Sequence, residues 1–123
     1  MDKRIKQKWI DALLSGEYQQ TRQQLFDGDG YCCLGVLCDL YRKEHKEHEW
    51  SHTFSEFEQK DKWEFLDQSE TLPNDVIFWS GLPNCDPQIK EIKSPDGRVE
   101  TLAFANDSGC RFDEIAKMID NNY

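Results

Sequence analysis

Apolar residues recur at helical spacing near both ends of the chain. In residues 3–14 and again in residues 112–121 they return every three or four positions, so each segment has one apolar face. These positions are Ile5, Trp9 and Leu13 in the first segment, and Phe112, Ile115, Ala116 and Ile119 in the second. Gly16 follows the first segment and suits a left-handed cap. The pattern predicts an amphipathic helix in each segment.

Residues 34–43 are apolar on nearly every side. Leu34, Leu37 and Tyr41 share one face, and further apolar residues fill the positions between them. A helix with this pattern is buried all round, so we expect it to be the central helix of the core. Gly35 costs such a helix up to about 1 kcal/mol relative to alanine. It therefore indicates a close approach there by a neighbouring element or a ligand.

Two polar turns predict hairpins. An Asp-Gly-Asp-Gly stretch predicts a turn within a short hairpin at 23–33, and a Ser-Pro-Asp-Gly stretch predicts a second hairpin at 88–101. Shorter helical segments are expected at 72–82 and 102–107. The predicted fold class is therefore α+β, with residues 1–123 forming a single domain. It has about four main helices and two short antiparallel hairpins.

The stretch 44–71 does not resolve into one pattern. Trp50, Phe54 and Phe57 keep helical spacing, whereas Trp63 and Phe65 alternate with charged residues as in a strand. Its assignment stays open. Elsewhere the apolar positions predict a core, whose members are Trp9, Leu13, Leu34, Leu37, Val76, Trp79, Leu102, Ile115 and Ile119.

The composition and net charge of the chain argue against nucleic acid and membrane as partners. Of the 123 residues, 37% are hydrophobic and 32% are charged, and the net charge is −9. With seven Phe, four Trp and four Tyr, the chain has enough large rings to form a globular core. A chain this acidic lacks the basic face that sequence-independent nucleic-acid binding needs. No apolar run approaches membrane-spanning length, and the basic start lacks the apolar stretch of a signal peptide, so we expect a cytoplasmic protein without a membrane partner.

The five cysteines predict free thiols. An odd number without an export signal argues against a disulfide framework. Neither the cysteine spacing nor the histidines at 45, 48 and 52 match a zinc site. The acidic turn at 27–30 lacks the closing glutamate of a calcium loop, because Cys38 stands in its place. We therefore expect no metal and no cofactor.

Three sequence blocks are distinctive in combination. They read YCCLGVLCDL at 31–40, LPxxVxxWxGL at 72–82 and LAxxNDxGxxFxxIAxxI at 102–119. Together they resemble a small, largely uncharacterised protein family of tailed phages and bacteria, over nearly the whole chain except 44–71. The resemblance implies a phage or mobile-element setting, where small accessory proteins often act against host defences. It implies no reaction.

One position departs from that family. Its final helix usually follows a Ser or Thr, whereas Arg111 stands at this point in the chain. Because arginine cannot accept a hydrogen bond, the resemblance implies that Asp107 or Ser108 supplies the cap instead.

Six residues predict a site for a small phosphorylated or nucleotide-like ligand, bound without turnover. Lysine and arginine hold phosphates, a core indole whose ring is partly open stacks on a base, and an Asn-Asp pair can bond to a base edge or a ribose. Cations are informative here because a positive patch must be built against an acidic background. The candidates are Trp79, Lys90, Lys93, Arg98, Asn106 and Asp107. Such an accessory protein would blunt a host response, and a pocket shared by a homo-oligomer stays open.

The acidic middle of the chain favours an alternative function. Residues 44–72 carry three lysines against nine acidic residues. A surface of this kind suits an acidic inhibitor that binds a host protein, or a mimic of the charge pattern of DNA.

A cysteine-dependent hydrolase is the second alternative. Cys32 or Cys33 would lie at the start of the central helix, where the helix dipole favours a thiolate. A histidine from 45, 48 or 52 would then have to fold back as the base. Since no spacing marks such a pair, the sequence favours buried structural thiols and a protein without enzymatic activity.

Overall fold

Five helices and two separate two-stranded antiparallel sheets make up the fold, which confirms the predicted α+β class. The computed structural model describes residues 1–123. The elements are α1 (Lys3–Leu14), α2 (Cys33–Glu44), β1 (Ser51–Ser55), β2 (Lys60–Glu64), α3 (Asn74–Ser80), β3 (Gln88–Lys93), β4 (Val99–Thr101), α4 (Leu102–Asp107) and α5 (Phe112–Asn122). None of the helices is both long and apolar enough to cross a membrane.

The helix α2 is central, as its all-round apolar sequence predicts. It packs against α1, α3 and α4, while α1 and α5 pack against each other on their apolar faces. The indole Nε1 of Trp9 donates to the carbonyl oxygen of Cys33 at 2.9 Å, which ties α1 to the start of α2. The polar end of this large core ring is thus satisfied.

Gly35 is where another backbone crosses α2. A Cβ added at this position would lie 1.8 Å from the carbonyl oxygen of Leu25. That carbonyl accepts from the N–H of Cys32 at 3.1 Å. The close approach predicted at Gly35 is therefore made by a neighbouring segment of the chain.

The core holds 22 buried apolar residues in one cluster, to which α1, α2, α3, α4 and α5 all contribute. Eight of the nine predicted core residues are buried. Trp79 is the exception, because it is only partly buried and packs at the edge of the cluster.

The predicted hairpin at 23–33 does not form, because the segment has the predicted turn but no strands on either side of it. Only isolated bridges form there, pairing Tyr31 with Phe26 and with Gln20. The Asp-Gly turn is present, with the N–H of Asp27 bonded to the carbonyl of Gly30 at 3.1 Å. The second strand cannot continue because Cys33 already begins α2.

In place of the predicted hairpin at 23–33, one of the two sheets lies within the unassigned stretch 44–71. β1 and β2 form a hairpin, called here the 51–64 hairpin, in which Ser51 pairs with Glu64 and Ser55 with Lys60. The strand-like alternation around Trp63 is confirmed, whereas the helical spacing of Trp50, Phe54 and Phe57 is misleading.

The predicted hairpin at 88–101 is confirmed as β3 and β4, and it packs against α5. The side-chain oxygen of Asn122 accepts from the N–H of Lys90 at 3.1 Å, so the end of α5 is bonded to β3. The expected cap of α5 from Asp107 or Ser108 is wrong. Instead the carboxylate of Glu114 reaches back to the N–H of Arg111 at 3.0 Å.

Candidate functional site

Asn106, a predicted ligand contact, is completely buried and bonded within the protein. Its side-chain oxygen accepts from Gln20 Nε2 at 2.8 Å and from the N–H of Cys33 at 3.2 Å. Its side-chain nitrogen donates to the carbonyl oxygen of Thr21 at 2.8 Å. These bonds use the amide's oxygen and nitrogen to hold the segment before α2 onto α4.

Asp107 extends the same attachment. Its Oδ1 accepts from the N–H of Gln23 at 2.7 Å and from Asn106 Nδ2 at 3.3 Å. Gln23 has a positive φ of 71°, a conformation that a non-glycine residue adopts at a cost. The carboxylate therefore stabilises a strained loop, and it remains exposed on its outer side.

The three cations lie together on the β3–β4 hairpin. Lys90 and Lys93 are exposed on β3, and Arg98 borders a surface depression of about 420 Å³ that Glu100 also lines. The guanidinium of Arg98 is paired with Asp96 at 2.7 Å. The two lysines are thus the more available cations for an anionic ligand.

Trp79 lies elsewhere, on α3. Its ring makes an edge contact with Tyr41 at 5.3 Å between centroids and another with His45 at 6.0 Å. It does not line the depression beside Arg98. The six predicted residues therefore form three groups: an internal Asn106–Asp107 attachment, a cationic hairpin and an aromatic contact on α3. The nucleotide-like ligand stays a prediction that depends mainly on Lys90 and Lys93.

The thiols at the start of α2 are buried. Burial raises the pKa of Cys32 to about 12, and it raises the pKa of Cys33 well above its ordinary range. The Sγ atom of Cys32 accepts from the N–H of Gly35 at 3.4 Å, which makes it the cap of α2. A thiol with this environment is a poor nucleophile.

Asp39 is a buried carboxylate on α2 that bonds to one neighbour on the same helix and to two segments outside it. It accepts from the hydroxyl of Tyr18 at 2.7 Å, from Arg42 Nε at 2.7 Å and from the indole of Trp50 at 3.1 Å. Burial alone would raise the pKa of Asp39, but these hydrogen bonds outweigh it and hold that pKa below its ordinary value. The carboxylate fixes Trp50, the residue just before β1.

Aromatic rings anchor the base of the 51–64 hairpin. Trp63 packs on Phe26 with centroids 4.8 Å apart, and its ring covers Gly28 so closely that a Cβ there would lie 3.1 Å from the indole nitrogen. Across the strands His52 stacks on Trp63 at 4.3 Å and is 2.8 Å from Asp61 Oδ1. The base of the hairpin is therefore rigidly placed.

Beyond this base the hairpin leaves the body of the protein. No backbone hydrogen bond joins β1 or β2 to any other segment. A polar groove of about 500 Å³ separates β2 from Gln23 and Gln24. Phe57 at the tip is 99% exposed, and Phe54 on β1 is 55% exposed. Two phenylalanines thus lie in solvent on an anchored, projecting element.

A family model matches the chain over its whole length. Residues 1–123 match the domain of unknown function DUF8296. The chain belongs to this family. No curated protein and no solved structure matches it.

Within this DUF8296 chain, the sequence indicated the acidic stretch 44–72 as a surface for a host protein, but not the 51–64 hairpin inside it. The net negative charge of the region was visible, but the position of Phe57 was not. Phe57 keeps helical spacing with Trp50 in a stretch whose assignment stayed open, and the structure places it in a turn at the exposed tip. No group of three or more His, Cys, Asp or Glu side chains is arranged to hold a metal ion.

Proposed function

We propose that this protein acts by binding another protein through the tip of the 51–64 hairpin. The observation that carries the proposal is the nearly complete exposure of Phe57 on an element whose base is held by Trp50 and Trp63. An aromatic ring in solvent on an element with an anchored base is available for burial by a partner. Burying it would contribute about 2 kcal/mol.

The charges near the ring indicate the chemistry of the partner. Glu56 and Glu58 flank Phe57, and both lie exposed. Oε2 of Glu58 is 3.4 Å from Nζ of Lys60. Across a contact, this arrangement is complementary to an apolar pocket with lysine or arginine on its rim. If the chain comes from the phage setting that its sequence blocks suggest, the partner is a host protein and binding inhibits it. A DNA-like charge pattern remains a weaker alternative, because an exposed aromatic tip is no part of DNA mimicry.

Site-specific photocrosslinking in cells tests the proposal. A photoreactive phenylalanine analogue at position 57 is compared with the same analogue at 78, because Phe78 on α3 is similarly exposed at 92%. We expect one discrete crosslinked protein from position 57 and none from position 78. Crosslinks of equal yield from both positions, or from neither, would contradict the proposal.

The captured partner is then purified and its affinity measured. We expect Phe57→Ala to weaken binding by roughly thirtyfold, as for an aromatic hot spot of about 2 kcal/mol, while Phe78→Ala leaves it unchanged. Replacing Glu56 and Glu58 by glutamine should reduce the association rate and its salt dependence. Unchanged affinity of the Phe57→Ala variant would overturn the role of the tip.

A further inference from the structure

The strand β1 has an open edge with no protection. It pairs with β2 on one side only, and no backbone hydrogen bond leaves its other side for the body of the protein. An open edge offers a row of unpaired N–H and C=O groups to another strand. Its five residues, Ser-His-Thr-Phe-Ser, include no Asp, Glu, Lys, Arg, Gly or Pro.

The other strand of the hairpin differs in this respect. β2 reads Lys-Asp-Lys-Trp-Glu, so charged side chains occupy four of its five positions. Lysine on an edge strand is a common protection against pairing, because its charge must be brought close to another chain. Within one hairpin, β2 therefore has this protection and β1 does not.

The sequence of β1 is also complementary to itself. In an antiparallel pair centred on Thr53, Ser51 lies opposite Ser55 and His52 lies opposite Phe54. Thr53 then faces Thr53 of the partner subunit, a cross-strand pair that is favourable in sheets. No like charges meet along the edge. We propose that two copies of this chain pair through β1, which gives a four-stranded antiparallel sheet in the order β2–β1–β1–β2.

The pairing would extend an existing face. Cross-strand register already places His52 beside Trp63 and Phe54 beside Asp61 on one side of the hairpin. In the dimer, Phe54 of the partner subunit joins this face next to His52, and the reverse contact forms by symmetry. The exposed ring of Phe54 thereby gains a neighbour, while the tip at Phe57 keeps its own surface for a different protein.

The dimer should be weak and strengthened by salt. A five-residue strand pair is smaller than a standard interface of about 1,600 Å². Two chains of net charge −9 also repel one another, and added salt screens that repulsion. A contact between the acidic tip and a basic partner has the opposite salt dependence, so failure of this inference is distinguishable from failure of the proposed function.

Sedimentation equilibrium over a wide range of concentration and salt is the first test. We expect a monomer–dimer equilibrium whose dissociation constant falls as salt is added. Thr53→Glu should raise that constant at least roughly tenfold, because two carboxylates would then face each other at the symmetry axis. Within the monomer the new carboxylate lies opposite Lys62, so the hairpin itself is preserved.

Two control variants make the result specific. Thr53→Val keeps the strand propensity and should still dimerise, and Asn121→Asp adds the same charge on α5 without affecting the equilibrium. Amide hydrogen exchange should slow with concentration in β1 and not in β2. A chain that stays monomeric at every concentration overturns the proposal. Dimerisation that survives Thr53→Glu but is lost in Phe57→Ser also overturns the proposal, because the contact between the two copies would then involve the tip and not β1.

Discussion

The side chain of Asn106 donates to the carbonyl oxygen of Thr21, across 85 positions of the chain. The same amide accepts from Gln20 and from the N–H of Cys33, so one buried side chain joins α4, the start of α2 and the segment before it. This residue therefore contributes to stability whatever the protein binds.

Asn106→Ala should lower the free energy of unfolding by about 3 kcal/mol, since it leaves the buried N–H of Cys33 and the partly buried carbonyl of Thr21 without this partner. Urea denaturation measures the loss. Asn121→Ala, an exposed asparagine on α5, is the matched control and should change stability by less than about 0.5 kcal/mol. A loss below about 1 kcal/mol for Asn106→Ala would show that water replaces the amide at little cost.

The substitution Gly35→Ala tests whether the Leu25 backbone crosses α2 at this position. The test is whether the free energy of unfolding rises or falls. Helix propensity alone predicts that alanine stabilises by about 1 kcal/mol. The added Cβ, however, would lie 1.8 Å from the Leu25 carbonyl oxygen, and backbone cannot rotate aside as a side chain can. We expect destabilisation by about 3 kcal/mol in thermal or urea unfolding. Any gain in stability would contradict the observed approach of the Leu25 backbone.

The lowered pKa of Asp39 predicts that the folded protein loses stability in acid. Its folded pKa lies below the ordinary 3.8, so its contribution is complete above that value and is lost as the pH falls through the folded pKa. Asp39→Asn should lower stability at neutral pH by about 2 kcal/mol and flatten the decline below about pH 4. Unfolding curves at several pH values measure both effects.

The control for Asp39 is Asp11→Asn, because Asp11 is exposed on α1. It should leave the acid limb of the stability profile as steep as in the parent protein. Equal flattening by the two variants would mean that general charge, rather than the bonds of Asp39 to Tyr18, Arg42 and Trp50, sets the acid response.

The thiols should react in the order of their exposure. Cys85 is exposed, Cys110 is partly buried, and Cys32, Cys33 and Cys38 are buried. A thiol reagent added to the native protein should modify Cys85 first, and Cys85→Ser should remove the fast phase. Rapid modification of Cys32 or Cys33 in the folded protein would instead favour the cysteine-dependent hydrolase predicted as an alternative.

A panel of nucleotides tests the small-ligand prediction by thermal shift. A ligand at about 100 times its Kd stabilises the native state by roughly 2.7 kcal/mol. If one binds, Lys90→Ala combined with Lys93→Ala should abolish the shift, whereas the same change at the exposed Lys3 and Lys46 should not. The absence of any shift across the panel would contradict this prediction and leave protein binding as the preferred function.

Helix periodicity made much of the fold predictable, because α1, α2 and α5 each bury a face that repeats in sequence. The 51–64 hairpin was not predictable in the same way. Turns are usually recognised by glycine or proline, whereas the turn at 56–59 between β1 and β2 has neither, and Gln59 in it adopts a positive φ of 55°. Within this turn the side-chain amide of Gln59 donates to the carbonyl oxygen of Glu56 at 2.6 Å, a contact that the local sequence does not reveal.

The site was harder to predict than the fold. An Asn-Asp pair before a glycine has the chemistry to bind a ligand, and the same chemistry bonds equally well to backbone. The partner that decides between them, Thr21, is distant in sequence. Burial of Asn106 therefore became visible only once α4 was placed against α2.

The attachment of Gln20 and Thr21 to Asn106 can form only late in the synthesis of the chain. On the ribosome the helix α2 emerges long before α4 is made, so the Asn106 bonds to Gln20, to Thr21 and to the N–H of Cys33 must wait for the last quarter of the sequence. Contacts between such distant positions slow the folding of small domains. A nascent chain that ends before α4 thus leaves part of the apolar surface of α2 uncovered. Exposed surface of this kind is what chaperones bind.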